Sequence, residues 1–227
     1  MNKEEDEKTR QEIAKLKKID ARLSEITKKI PFMKVNPKNS VTEHETFFSK
    51  PDYNPQFRYK KSTRSLEPVR KELKDLEMDD SVLGRIIREK RDILLKKLDM
   101  ISSLGTDDFT KYSLKVFGKP DRALLKAARK LLKVQVTSSH EYITPEETIR
   151  RLRKIIRKRK ISWSVKKRDM LARAAVRPKS KNIFVKQDIK FSPEIITRMI
   201  VHEIGTHVFR SQNGYNQPYR IFQEGFP

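Results

Sequence analysis

Cysteine is absent from all 227 residues. Disulfides, thiolate metal sites and a cysteine nucleophile are therefore excluded. Long apolar runs are missing too. Nothing approaches the roughly 20 residues a membrane span requires, and the opening MNKEEDEKTRQE lacks the apolar centre of a signal peptide. The chain is accordingly expected to be soluble and cytoplasmic, with no membrane partner. Acids are few beside bases: 30 Asp and Glu against 53 Lys and Arg leave a net charge of +23 at pH 7. Such a field attracts RNA, DNA or acidic protein tails alike, so it names a charge sign and not a partner. No internal repeat or low-complexity tract occurs. Trp163 is the single tryptophan, and no RNA-binding signature with interleaved aromatics is present.

The apolar residues that remain are periodic. Ile13, Leu16, Ile19, Leu23, Ile26 and Ile30 follow a three-and-four spacing that predicts a helix over 3–30, ended by Pro31. Residues 31–60 lose that period and predict a long extended segment, whose Phe47, Phe48, Tyr53, Phe57 and Tyr59 call for burial. Helices are expected from about Leu66, over Asp80–Ile101 and after FGKPD, the last carrying Leu124, Leu125, Ala128, Leu131 and Leu132. SSLGTDD reads as a loop. Thr144-Pro145-Glu146-Glu147 reads as an N-cap, a proline at the first helical position and acids in the first turn of a helix running to about Lys160. ISWSVKK, ARAAVRP and NIFVKQ are three short strand candidates. Ser192-Pro193 then caps a final helix, with Asn213-Gly214 as its expected stop. Helices, then a few strands, then one more helix give an α+β fold class.

That final helix carries MIVHEIGTHVFRSQNG. His202 and His207 are five residues apart, with Glu203 between them. Helical zinc pairs are normally four apart, which leaves the imidazoles only about 40° from alignment. Five residues on an ideal α-helix leave them about 140° apart, too far to chelate one ion. A π-bulge absorbs one extra residue and restores convergence, and Gly205 sits where distortion is easiest. Ile200, Val201, Ile204, Val208 and Phe209 are expected to bury this helix. On the pattern alone, two hydrogen-bonded core histidines remain an equal alternative.

HEIGTHVFRSQNG with Gln217-Pro218 resembles the HExxxH metallopeptidases of the microtubule-associated tyrosine carboxypeptidase family. The resemblance extends to Asn36-Pro37, Tyr53-Asn54-Pro55-Gln56-Phe57-Arg58-Tyr59, Phe117-Gly118-Lys119-Pro120 and the block ARAAVRP…NIFV, and so covers about residue 30 onward. It implies a zincin-like fold, with a mostly helical first part, a few short strands and the HExxxH helix. It also implies removal of a C-terminal residue from a protein or peptide, the tail of an acidic one suiting the basic chain. His202 and His207 correspond to the zinc ligands and Glu203 to the general base and proton shuttle. Residues 1–30 are expected to form a separate helix, and 31–227 the N-terminal portion of the peptidase domain.

Family members take a third ligand from a downstream Glu-Glu-Gly-Leu-Ala-type motif. Glu224 in IFQEGFP imitates that motif, but counted from Gln217-Pro218 it falls in the preceding linker, and Phe226-Pro227 replaces Leu-Ala. The chain is therefore expected to stop short of its third ligand, with Glu224 as substitute ligand the other possibility. Arg177, Lys186 and Arg210 are candidates to bind a substrate's terminal carboxylate, without a choice among them. His44 and His140 are read as structural or solvent-exposed. RRLRKIIRKRK places eight bases in eleven residues at 150–160; a solvated face, an acidic-tail dock and a nucleic-acid surface all fit it. The rival to the peptidase is thus a non-catalytic polyanion-binding protein on a degenerate peptidase fold.

Overall fold

Leu16, Leu23 and Ile26 form one buried stripe along α1 (Lys3–Lys28), as their spacing predicts. The computed structural model describes residues 3–50, 52–60, 65–134 and 141–225, with backbone only at 3–6, 8 and 224. His140 lies outside the described residues. The chain divides into two compact units, Met1–Leu124 and Leu125–Phe226. Among the described residues no helix is long and apolar enough to cross a membrane.

In the first unit, α1 packs with α3 (Glu67–Lys74) and α4 (Val82–Ser102). Val69, Leu73, Ile87, Leu94, Leu98 and Ile101 fill the space between them. Each such side chain contributes about 1.5–3 kcal/mol on burial. Ser81 caps α4 by accepting from Gly84 N at 3.0 Å.

The extended reading of 31–60 holds only in part. A 3-10 turn (Phe32–Val35) and an unforeseen helix, α2 (Ser40–Ser49), occupy its first half; residues 54–60 carry no regular structure. Long-range hydrogen bonds hold α2. Asn39 donates from Nδ2 to Gln56 O at 2.9 Å and accepts from Arg58 N at 2.8 Å, while Glu43 receives the Gln56 amide at 2.7 Å. Such contacts, made 13 to 19 residues away, override a weak local propensity. Burial of the aromatics is also corrected: Phe47, Phe48 and Phe57 are exposed, while Tyr53 and Tyr59 are half-buried.

A second unforeseen helix, α5 (Asp108–Phe117), begins inside the predicted loop. Its Thr, Tyr and Val are poor helix formers, and packing against α4 supplies what propensity does not. Gly118, at φ 75°, ends it. Then α6 (Arg122–Leu131) forms as its leucine spacing predicts, with Leu124, Leu125 and Leu131 exposed.

The second unit is built around a three-stranded sheet, in the order β1-β3-β2. β1 (Ser164–Arg168) and β2 (Ala174–Arg177) flank β3 (Asn182–Lys186), parallel and antiparallel to it respectively. All three match the sequence candidates. Helix α7 (Pro145–Lys158) is capped by Thr144 and covers β1 and β3, placing Ile149, Leu152 and Ile156 against Val165, Ile183 and Val185. The mostly helical chain with one small mixed sheet is of α+β class.

Candidate metal centre

The motif helix is pinned at both ends. Phe191, fully buried, exchanges two 2.8 Å backbone hydrogen bonds with Ile143. Ser192 then caps α8 (Pro193–Met199) by accepting from Ile195 N, and Pro193 opens it. A π-helical segment (Ile200–Val208) and α9 (Phe209–Tyr215) follow without a break. At the far end the Tyr215 hydroxyl donates to Pro178 O at 2.7 Å, and the Lys181 ammonium lies 4.4 Å from the Tyr215 ring. These contacts tie α9 to the β2–β3 turn. The helix ends at Tyr215, one residue past the Asn213-Gly214 stop that its sequence predicts. A Cβ on Gly214 would lie 2.2 Å from Phe222 O, so this glycine admits the backbone of α10 (Ile221–Glu224).

Within the π segment hydrogen bonds span five residues: Phe209 N–H donates to Ile204 O, and the Thr206 hydroxyl donates to Val201 O at 3.4 Å. The wider turn absorbs the fifth residue. His202 Nε2 and His207 Nε2 come within 3.3 Å, with ring planes 88° apart. Two nitrogens at about 2.0–2.1 Å from a tetrahedral ion are separated by about 3.3–3.4 Å, so this donor pair fits one. Ile204 and Val208 anchor the segment in the core, with Ile200 and Phe209 half-buried. Val201, expected to be buried, is instead 65% exposed, because the widened turn rotates it out of the apolar face.

His202 is exposed, whereas Glu203 and His207 are half-buried. Burial holds the Glu203 carboxyl above the usual range, opposed in part by the nearby His202. Burial, and then the charges of Arg210 and His202, push the His207 imidazole down. Both shifts suit hydrolytic chemistry. A neutral imidazole offers its lone pair to a metal, and a carboxyl of raised pKa both takes and returns a proton.

A model of the microtubule-associated tyrosine carboxypeptidase family matches residues 45–227. The chain belongs to that family. No curated protein and no solved structure gives a match. The family is one of metallocarboxypeptidases, and the matched residues include the π segment that carries His202, Glu203 and His207.

Among the described residues no group of three or more His, Asp or Glu is placed to hold a metal. Glu224 ends α10, and its side chain lies outside the described residues. His44 is exposed and stacks on Phe48 at 4.7 Å, as a structural or surface histidine should. Of the carboxylate-binding candidates, Arg177 lies over the Phe184 ring at 5.5 Å, and the Arg210 guanidinium lies where a Cβ on Gly225 would touch it at 2.7 Å.

Neither Arg177 nor Arg210 lines the pocket beside the histidines. That pocket, of about 160 Å³, is bounded by Arg173, Ile195, Arg198, Met199, His202 and Glu203. Arg198 lies one helical turn before His202, a spacing visible in the sequence; Arg173 arrives from the strand side and carried no local signal.

The basic helix α7 is partly self-neutralised. Arg150 and Arg151 pair with Glu147, Arg153 donates to Val165 O at 2.8 Å, and Arg159 lies over the Phe209 ring. Trp163 is buried and donates to Gln212 Oε1 at 3.1 Å, a structural role.

Proposed function

We propose that this chain is a zinc-dependent carboxypeptidase of zincin-like fold that removes a C-terminal residue from a protein or peptide. His202 and His207 are its two imidazole ligands and Glu203 its general base. The 3.3 Å separation of the two Nε2 atoms carries this reading. It matches the tetrahedral bite of zinc, although the histidines are five residues apart. The donor pair fits the ion, and the third donor is not among the described side chains.

Zinc, when bound, polarises a carbonyl and acidifies water enough for a proton to leave near neutral pH. Glu203, half-buried and next to His202, takes that proton on its carboxylate and returns it to the departing amine. Its raised pKa brings its two protonation states closer in energy at neutral pH, as a shuttle requires. The apolar contacts of Ile204 and Val208 fix the helix so that the three polar side chains stay on one side of it. The net charge of +23 favours an acidic tail as substrate.

Metal analysis of protein purified with added zinc tests this directly. One zinc per chain is expected, with affinity lost at least about 100-fold in His202→Ala. Protein that takes up no zinc overturns the reading.

A second reading rests on the groove between α7 and β1, where Arg150, Arg153, Arg157 and Lys166 surround Ile156, Ile161 and Trp163. Here the chain binds a nucleic acid or acidic protein without catalysis. Its signature is affinity that falls steeply with salt and depends on Arg157 and Lys166.

A further inference from the structure

The pocket beside the histidines has a shape and charge that the metal pair does not account for. Ile195, Arg198, Met199, His202 and Glu203 recur at three- and four-residue intervals and so share one face of the motif helix. Arg173 closes the pocket from the sheet side. Its carbonyl accepts from Lys186 N at 3.0 Å, so its backbone is fixed to β3 immediately before β2 begins.

Two arginines thus line one small space from two separately anchored elements. Neither Arg173 nor Arg198 has an acidic partner among the described residues, in contrast to Arg150 and Arg151. Among the described residues Glu203 is the only acid lining the pocket. Size narrows the occupant further. A volume of about 160 Å³ is close to the roughly 150 Å³ cavity that takes one benzene ring. Open to solvent on one side, a space of this size seats the side chain of one residue while the chain leaves through the open side. Ile195 and Met199 supply an apolar wall for its side chain, and guanidinium forks match the geometry of a carboxylate.

We infer that Arg173 and Arg198 hold the free terminal carboxylate of the substrate in the pocket that adjoins His202 and Glu203. This rests on the peptidase reading above, and makes the protein an exopeptidase by its binding site and not only by descent. The two arginines position substrate and take no part in proton transfer.

The test is a binding comparison. A fluorescein-labelled Gly-Gly-Ser-Gly-Tyr peptide, as free acid and as C-terminal amide, is titrated by fluorescence anisotropy into Glu203→Gln protein, which prevents turnover. The free acid should bind about 10- to 100-fold more tightly than the amide, the worth of charge-assisted hydrogen bonds. Adding Arg198→Gln or Arg173→Gln should abolish that preference without altering the circular dichroism spectrum. Arg177→Gln, nearby but outside the pocket, should preserve it.

Equal binding of the two peptides, or no binding of either, overturns the inference, and so does a preference that survives both arginine substitutions. Zinc content is measured on the same samples. Loss of the metal reading with an intact carboxylate preference, or the reverse, separates the two proposals.

Discussion

Glu43 in the first unit and Glu203 in the second are the same side chain in opposite surroundings. Glu43 accepts the Tyr53 hydroxyl and the Gln56 amide on Oε2, each at 2.7 Å, and Asn39 Nδ2 on Oε1 at 2.8 Å. The Tyr53 hydrogen bond, followed by that of Gln56, holds its carboxyl below the usual value of 4.5. Glu203 accepts no hydrogen bond from the described residues; burial holds it above that value. One carboxylate is a finished latch that closes residues 53–58 over α2. The other is left with unused acceptor capacity next to His202, in a pocket that two arginines also line. A satisfied acid organises a fold, and an unsatisfied one is available for chemistry.

The strongest way to break this contrast is to neutralise each acid without changing its shape. Glu203→Gln should lower kcat for release of a terminal residue by about 10²–10⁴-fold, the usual worth of a general base. Zinc content should stay unchanged and Tm should not fall. A variant that keeps more than a tenth of parental activity would move the proton shuttle elsewhere. Glu43→Gln should do the reverse, with Tm falling by several degrees and zinc content unaffected, because the amide's nitrogen cannot accept the hydrogen bonds that the carboxylate does. Thermal melts and metal analysis of the two variants side by side decide the matter.

A pH series sharpens the contrast by sign. The folded pKa of Glu43 lies below its unfolded value, so the stability it contributes is present above about pH 4.5 and is lost as pH falls through the lower folded value. The folded pKa of Glu203 lies above its unfolded value, so its contribution is present below about pH 4.5 and is lost as pH rises through the higher folded value. In metal-stripped protein, Glu43→Gln should therefore flatten the acid limb of Tm against pH. Glu203→Gln should flatten the decline on the other side of pH 4.5. The same slope in both variants would show that the two acids are not opposed.

The two regions also differ in how far they were legible. Around Glu203 the signals are local: Ser192-Pro193 capping, short apolar strands with charged turns, and a five-residue spacing that only a widened helix reconciles. The three strands, α7 and the π segment all followed from such signals. Around Glu43 the determinants are distant. Asn39 could be read as a turn residue, but nothing local shows that it reaches Gln56 and Arg58, or that Tyr53 folds back on Glu43. Helices α2 and α5 were missed for that reason: partners elsewhere in the chain decide them. In the candidate site the convergence of His202 with His207 was readable, whereas the place of Arg173 in the adjoining pocket was not, because it depends on β2 pairing with β3.

Gly205 offers the smallest test and the most discriminating one. A helix-interior glycine costs about 0.5–1 kcal/mol relative to alanine. A Cβ on Gly205 would meet only Ile200 O, at 3.8 Å, an ordinary contact. Gly205→Ala should therefore raise stability by up to about 1 kcal/mol, provided the widened turn persists. Its persistence depends on what creates it. If glycine's freedom alone widens the turn, alanine favours a regular α-helix and the imidazoles swing about 140° apart, with loss of zinc. If the fixed ends do so, through Phe191 on Ile143 and Tyr215 on Pro178 with Ile204 and Val208 in the core, the register between them cannot relax and zinc affinity is unchanged. The anchoring at both ends favours the second outcome. A rise in Tm with undiminished zinc affinity would show that the surrounding fold, and not the glycine, brings His202 to His207.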